Sequence, residues 1–410
     1  MAEPLRAAEL HEGLHALLEH MGKIEASDLH LTAGHPPVFR VDNASYPARV
    51  PLAADEIASM ADSLMSASQR MEFRATFEMN VTFAWSDDVR FRANLFFQRG
   101  TPSVVVRRLH TRIKTLEELG LLLELPRLAL VRSGLVLVVG DKRSGRSTTL
   151  AALLDHRNAS QAGHILTVED PIEFVHAHKQ CVVTQREIGV DTCSYADALR
   201  NAPNQTPDLI YVSEIRDAPT METLLGLAES GQACLSTLHA SNATQAVDRV
   251  LSFFPQERHS EIRVRLSRAL RGVIAQRLVP ALPQGRVAAV ELLLDTPQIK
   301  DLILRGELAK LGNGWEEAGP GCCTFDASLF ALSSAGRISQ VEALNAADHA
   351  PDLLLRMRRV NDAHEQAHGH AHDAGEVSEV PLRLAPDSYE APAPVVIPAP
   401  DRGAKTGPVH

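Results

Sequence analysis

The stretch Gly134–Leu150, GLVLVVGDKRSGRSTTL, decides the fold class. Its first six residues are an unbroken apolar run rich in Val and Leu. Such a run reads as a strand buried on both faces, the kind found in parallel sheets. GDKRSGRS, Gly140 to Ser147, then forms a Gly/Ser-rich turn, and STTLAALLDHRNAS continues as a helix. Strand, glycine-rich turn and helix in that order is the setting a phosphate loop of the GxxxxGK[ST] type requires. Gly140, Gly145 and Ser147 fit that pattern, and Arg146 stands where lysine is expected.

In such loops the backbone N–H groups and the helix N-terminus cradle phosphates, and the Ser/Thr hydroxyl ligates Mg2+. The candidate nucleotide-holding residues are therefore Gly140, Ser144, Gly145, Arg146, Ser147 and Thr148, with Ser147 as a metal ligand. Arginine keeps the charge of lysine but is longer, planar and forked, so the exchange is not conservative. Transition-state stabilisation should suffer more than binding. Lys142 lies nearby as a substitute cation, but its offset does not match the loop classes that use a second lysine. A purely structural βα turn is the plainer alternative, and the downstream strands weigh against it.

Downstream, HILTVEDPIEF, CVVTQ, DLIYVSE and CLSTLHA are further apolar strands, each followed by a polar loop or a helix. Alternation of strands and helices implies an α/β domain on a parallel sheet. Three of these strands end in polar groups: Glu169, Glu214 and His239. Ligands bind at that edge of a parallel sheet. Glu214, closing DLIYVSE, stands where an NTPase places the carboxylate that polarises water and serves the metal. Helices are expected to dominate 241–280, including EIRVRLSRALRGVIAQRLV, with VAAVELLL as a late strand and 320–360 as a helical appendix.

Upstream, residues 1–100 read as a small α/β domain: a leucine stripe before Gly22, short alternating strands, a helical stretch, and a hairpin turning at Asp87–Asp88. SVVVRRLHT reads as one more strand at the start of residues 101–133, which are taken as a linker, with 134–361 as the second domain. From 362 to 410 the chain is rich in Pro and Ala with few large apolar side chains, and disorder is expected. His364, His368, His370 and His372 form a compositional tract that would hold a metal loosely at most.

The 410 residues suit two or three domains, and 45% hydrophobic content is ordinary for a globular protein. A net charge of -10 argues against a dedicated nucleic-acid binder. Five cysteines without a CxxC pair fit buried thiols in a reducing cytosol. No apolar run approaches the length of a membrane helix, so a cytoplasmic protein, reaching a membrane only through partners, is expected.

Across residues 1–360 the chain resembles the PilT/PilU family of type IV pilus retraction ATPases, within the secretion-ATPase superfamily. The segments that carry the resemblance are SDLHLTAGHPP, RFRANLFFQR, VEDPIEFVH, TQREIGVDT, VSEIRD, STLHASNATQAVDRV, FFPQERH and IAQRLVP. VTQREIGVDT, NQTPD and APDLLLRM are similar to the PilU branch. The resemblance implies a PAS-like N-terminal domain, a RecA-like P-loop NTPase domain, a ring of six and ATP with Mg2+ as ligands. It implies Glu169 as the Asp-box glutamate, Glu214 as the Walker B catalytic glutamate and His239 as the sensor of the γ-phosphate. Arg249 matches a basic position after the His box, and Arg92 and Arg107 match arginines that reach phosphate from the N-terminal domain; a surface salt bridge is the plainer reading of each.

The departures cluster at the site. Arg143 and Arg146 replace glycine-type and lysine positions, Ser213 stands for a glycine before Glu214, and Asn204 stands for an arginine. A side chain at 143 is costly where the backbone takes φ > 0. The leading expectation is an accessory motor of the PilU type, in a homo- or hetero-hexamer, acting with a principal PilT-type ATPase on the inner-membrane platform protein. The second is a catalytically impaired regulatory subunit of that principal motor. The third, a DNA-translocating or secretion ATPase, fits the net acidity less well.

Overall fold

The computed structural model describes residues 10–41, 44–86, 89–110, 112–121, 124–307 and 321–368. They form two compact units that meet in sequence between Arg112 and Ile113.

The first unit holds helices α1 (Glu12–Lys23), α2 (Ala54–Ser63) and α3 (Ala67–Thr76) and strands β1 (Asp28–Leu31), β2 (Val38–Val41), β3 (Ala44–Pro47), β4 (Glu78–Ser86), β5 (Val89–Gln98) and β6 (Thr101–His110). The strands make one antiparallel sheet in the order β3-β2-β1-β6-β5-β4. The leucine stripe behaves as read: Leu14, Leu17, Leu18 and Met21 of α1 are buried in one core with Phe39, Phe83, Phe91 and Val106. The helical stretch splits in two because Ser66 caps α3, its hydroxyl accepting from Gln69 N at 3.3 Å while the Gln69 side chain accepts from Ser66 N. This is the antiparallel sheet with packed helices expected of a PAS-like domain. The strand read in SVVVRRLHT is β6, paired along β5, so the sheet runs past residue 100, where the sequence reading ended the first domain. The turn read at Asp87–Asp88 lies outside the described residues.

The second unit is a seven-stranded sheet in the order β13-β12-β7-β11-β10-β8-β9. Its strands are β7 (Gly134–Val139), β8 (Gly163–Glu169), β9 (Cys181–Glu187), β10 (Leu209–Val212), β11 (Ala233–Leu238), β12 (Leu270–Pro280) and β13 (Arg286–Leu294). All neighbours are parallel except β13, which returns antiparallel on β12. Helices α4 (Leu125–Ala129), α5 (Arg146–Ser160), α6 (Tyr195–Asn201), α7 (Ala218–Glu229), α8 (Ala243–Ser252), α9 (His259–Ala269), α10 (Pro297–Arg305), α11 (Phe325–Ser334), α12 (Gln340–Ala346) and α13 (Ala350–His368) complete it.

Strand β7 explains its own sequence. Every position is buried. Leu135, Leu137 and Val139 enter one core with Met221 of α7, Val247 of α8 and Ile262 of α9. Val136 and Val138 enter the opposite core with Leu150, Leu153 and Leu154 of α5. Both faces of this period-2 strand are covered, which is why apolar residues fill every position of it. This is the RecA-like α/β arrangement, with β11 inserted between the loop-bearing strand and β10.

The helix expected through 280 stops at Leu270, where the backbone turns extended (φ -67, ψ 127). Residues 270–280 are β12, beside β7, with Val273, Ile274 and Ala275 fully buried. The last helix runs to His368, past the boundary of 361. The disorder expected for the tail, and the metal-binding reading of its histidines, lie outside the described residues and side chains.

Candidate active site

The phosphate loop connects β7 to α5 and is braced by β12. Gly145 takes φ +91, and a Cβ there would stand 2.7 Å from Nε2 of Gln276. Gly140 takes φ +152, and a Cβ there would stand 2.5 Å from the Gln276 carbonyl oxygen. Both positions therefore exclude a side chain. Gln276 is buried on β12, and its Oε1 accepts from Thr149 Oγ1 at 2.6 Å, tying the first turns of α5 to the neighbouring strand. Arg143 sits at φ +67, the left-handed region that costs a side-chain-bearing residue roughly 1–2 kcal/mol. The departure at 143 falls where the sequence reading placed its cost.

The loop is built as an anion cradle. The N-terminal N–H groups of α5 have no partners within the helix. Ser144 Oγ is buried and finds no hydrogen-bond partner in the protein. A tight loop of small residues, a helix N-terminus and an orphaned hydroxyl fit a phosphate. Ser147 lines the same cleft as Glu214. That pairing fits an Mg2+ ion carried on nucleotide phosphates, which needs only one or two protein ligands.

The parallel strands bring their C-terminal ends to this cleft, of about 190 Å³. Arg146, Ser147, Glu169, Asp170, His176, Tyr211, Ser213, Glu214 and Arg216 are among its walls. Glu214 follows β10. Its Oε1 lies 2.7 Å from His239 Nε2, and its Oε2 accepts from Arg216 Nε at 2.7 Å. Arg216 also donates through Nη1 to Asp170 Oδ2 at 3.0 Å. Arg146 Nη1 donates to the Leu238 carbonyl at 3.2 Å and lies 3.3 Å from His239 Nδ1. An unbroken polar chain thus runs Arg146, His239, Glu214, Arg216, Asp170. Burial lowers the basicity of Arg146, against the charge of Glu214, though a guanidinium stays protonated. Burial, then the Arg146 charge, holds His239 below the usual histidine range.

Ser213, the residue in place of glycine, is held from several sides. Its hydroxyl is 2.6 Å from Tyr195 Oη and accepts from Asp170 N at 3.2 Å, and its carbonyl accepts from Thr237 Oγ1 at 2.5 Å. Glu169 ends β8 and is buried; its Oε1 accepts from Thr167 Oγ1 at 2.7 Å and Gln185 Nε2 at 3.0 Å. Burial pushes its carboxyl up to about 7, so it carries or releases a proton near neutrality. His176, buried beside it, is pushed down to about 4 by burial, and its Nδ1 has no partner.

The structure therefore brings together Glu169, Glu214, His239 and the run Gly140, Ser144, Gly145, Arg146, Ser147 and Thr148. Arg249 stands apart on α8, its guanidinium 4.9 Å over the Phe253 ring and outside the cleft wall. Arg92 and Arg107 belong to the first unit, paired across β5 and β6. Arg107 Nε donates to Asp28 Oδ1 at 2.8 Å. Burial alone would raise the Asp28 carboxyl, but the bonds from Arg107 and Ser27 prevail and hold it below the usual range. Arg216, Gln276 and Tyr195 were not singled out from sequence. Arg216 had a usable signal: two residues beyond Glu214 in extended chain, it shares Glu214's side. The five cysteines are free, and burial pushes Cys234 up to about 12.

A family model described as type II/IV secretion system protein matches residues 5–366. The chain is 41% identical to the type IV pilus ATPase PilU of Pseudomonas aeruginosa over 345 residues, 83% of this chain and 90% of that protein. It is 40% identical to the type IV pilus retraction ATPase PilT of the same organism over 329 residues, 80% of this chain and 96% of that protein. Among solved structures it is similar to the pilus retraction motor PilT with bound ADP, at 36% identity and a TM-score of 0.76, covering 82% of this chain and 97% of that one.

Proposed function

The chain belongs to the PilT/PilU family of type II/IV secretion system proteins, and on that premise we propose that it is a type IV pilus retraction ATPase of the PilU kind. The observation that carries the reading is one cleft lined by Arg146 and Ser147 of the loop together with Glu169 and Glu214, with His239 against Glu214. ATP binds with its phosphates on the loop and the N-terminus of α5, and Ser147 with Glu214 serves the Mg2+ that the phosphates carry. Glu214 orients and deprotonates the attacking water, Arg216 fixes the direction of its carboxylate, and His239 reads the terminal phosphate. Arg92 and Arg107, and Arg249 of α8, which does not line the cleft within its own unit, are further arginines for phosphate contact.

On this reading the chain works as an accessory subunit in a homo- or hetero-hexamer, in the cytoplasm at the inner-membrane base of the pilus. It acts beside a principal PilT-type ATPase and on the platform protein. Among the described residues no helix is long and apolar enough to cross a membrane, which accords with attachment through partners. One observation favours the second reading, a regulatory subunit of weakened turnover: Arg146 is engaged by Leu238 and His239, away from the lysine's usual task. The test is Mg2+-dependent ATP hydrolysis by the purified protein beside Glu214→Gln and Arg146→Lys. Turnover that Glu214→Gln reduces at least a hundredfold supports the motor. Wild-type silence with recovery in Arg146→Lys supports the regulatory subunit. Turnover indifferent to Glu214→Gln contradicts both.

A further inference from the structure

Arginine at 146 does more in this structure than replace a charge. Its guanidinium carries five N–H donors and no acceptor. Wherever it meets a histidine nitrogen, that nitrogen must supply the lone pair. Arg146 Nη1 meets Nδ1 of His239 at 3.3 Å. The hydrogen of the neutral ring therefore sits on Nε2, which donates to Glu214 Oε1 at 2.7 Å. The other carboxylate oxygen receives Arg216 Nε at 2.7 Å. Both oxygens of Glu214 are thus committed to donors inside the protein, and one of those donors is set by Arg146.

Resting on the nucleotide-site reading, we propose that Arg146 is a positioning residue that acts through His239: docked on the histidine it keeps Glu214 Oε1 capped, and it releases that cap when a phosphate on the loop takes its guanidinium. The competition has a definite sign. In the docked state Arg146 bonds a peptide carbonyl at 3.2 Å and a neutral imidazole. Its position in the first turn of α5, between Gly145 and Ser147, borders the cradle. A phosphate meets the guanidinium charge with its own negative charge and matches its fork, so its bonds outcompete those to a neutral carbonyl and ring. Once Arg146 turns to the phosphate, His239 Nδ1 loses its donor and the ring is free to leave Oε1. Oε2 stays anchored through Arg216 to Asp170 Oδ2. Both bonds leave one nitrogen, Nη1, at the end of a side chain longer than lysine's, so the latch belongs to arginine's reach. The charges of Lys142 and Arg216 also reach His239.

The test has two arms. Without nucleotide, chemical unfolding of wild type, Arg146→Ala, His239→Ala and the double variant measures the contact itself. His239 is about half exposed, so its loss leaves the fold intact. A coupling of about fivefold in the unfolding constant is expected, and additive effects overturn the latch. With nucleotide, calorimetry measures ADP affinity. His239→Ala, by freeing Arg146, should tighten ADP about fivefold in the wild-type background and leave it unchanged in Arg146→Ala and Arg146→Lys. A histidine that merely contacts phosphate would instead leave ADP affinity unchanged or weaken it. ADP binding that ignores His239→Ala overturns the latch and leaves the nucleotide reading standing. No ADP binding by wild type or Arg146→Lys overturns both.

Discussion

At the scale of single residues, the site is a set of strand-end side chains whose partners decide what they can do. Glu214 is anchored on one oxygen by Arg216, which is itself fixed by Asp170. Removing that anchor leaves Glu214 in place but undirected. Arg216→Ala should lower kcat about ten- to a hundredfold with little change in KM, because misdirection of a reacting group by about 1 Å has that cost. Steady-state kinetics over a range of ATP concentrations checks this, and a loss confined to KM would point to nucleotide contact by Arg216 instead. Much of the residue set was legible. Glu169, Glu214, His239, Gly145 and Ser147 sit in short local motifs whose geometry follows from strand, turn and helix. Tyr195 against Ser213, and Gln276 against Thr149, were not legible. Those contacts join residues 18 and 127 positions apart, and no local pattern encodes them.

At the scale of elements, the sheet and its helix caps hold the site. Helix α8 follows the His239 loop and is capped by Asn242, whose Oδ1 accepts from Gln245 N at 2.8 Å. Its first N–H, on Ala243, donates to buried Glu291 of β13 at 2.6 Å. Burial pushes that carboxyl up to about 7. A raised folded-state value means the folded protein holds a proton that the unfolded chain releases near the ordinary carboxyl value of 4.5. The stabilisation is full below that value and is lost as pH rises toward about 7. His176, pushed down to about 4, acts with the opposite sign and loses its contribution as pH falls from the usual 6.5. The difference between two proteins isolates Glu291. Between pH 5 and 8, wild type should lose up to ~3 kcal/mol relative to Glu291→Gln. Thermal unfolding of both at several pH values reads this directly, and parallel curves would refute it. Strand β12, which carries Gln276, was misread as helix. A short apolar run does not separate a buried strand from a buried helix, and the helical period of α9 continued into it. Val273 and Ile274, β-branched and beside Gly272, were the available signal.

At the scale of the whole molecule, two units of different sheet type share one chain, and each was readable for a physical reason. The parallel sheet announces itself because strands covered on both faces read as near-continuous apolar runs, as β7 does. The first unit was harder, because its strands alternate, and β6, though read as a strand, was placed beyond the boundary drawn at residue 100. The reading of the chain as a nucleotide-driven machine rests on the cradle between β7 and α5. Gly145 is where the loop enters α5, at φ +91, and any added Cβ there would stand 2.7 Å from Gln276 Nε2. The most direct measurement is a calorimetric titration of the full chain and of Gly145→Ala with Mg2+ and a non-hydrolysable ATP analogue, with circular dichroism to verify the fold. The account predicts one nucleotide per wild-type chain and affinity at least tenfold weaker in the folded variant. Absence of binding to wild type, or equal binding by both, would contradict it.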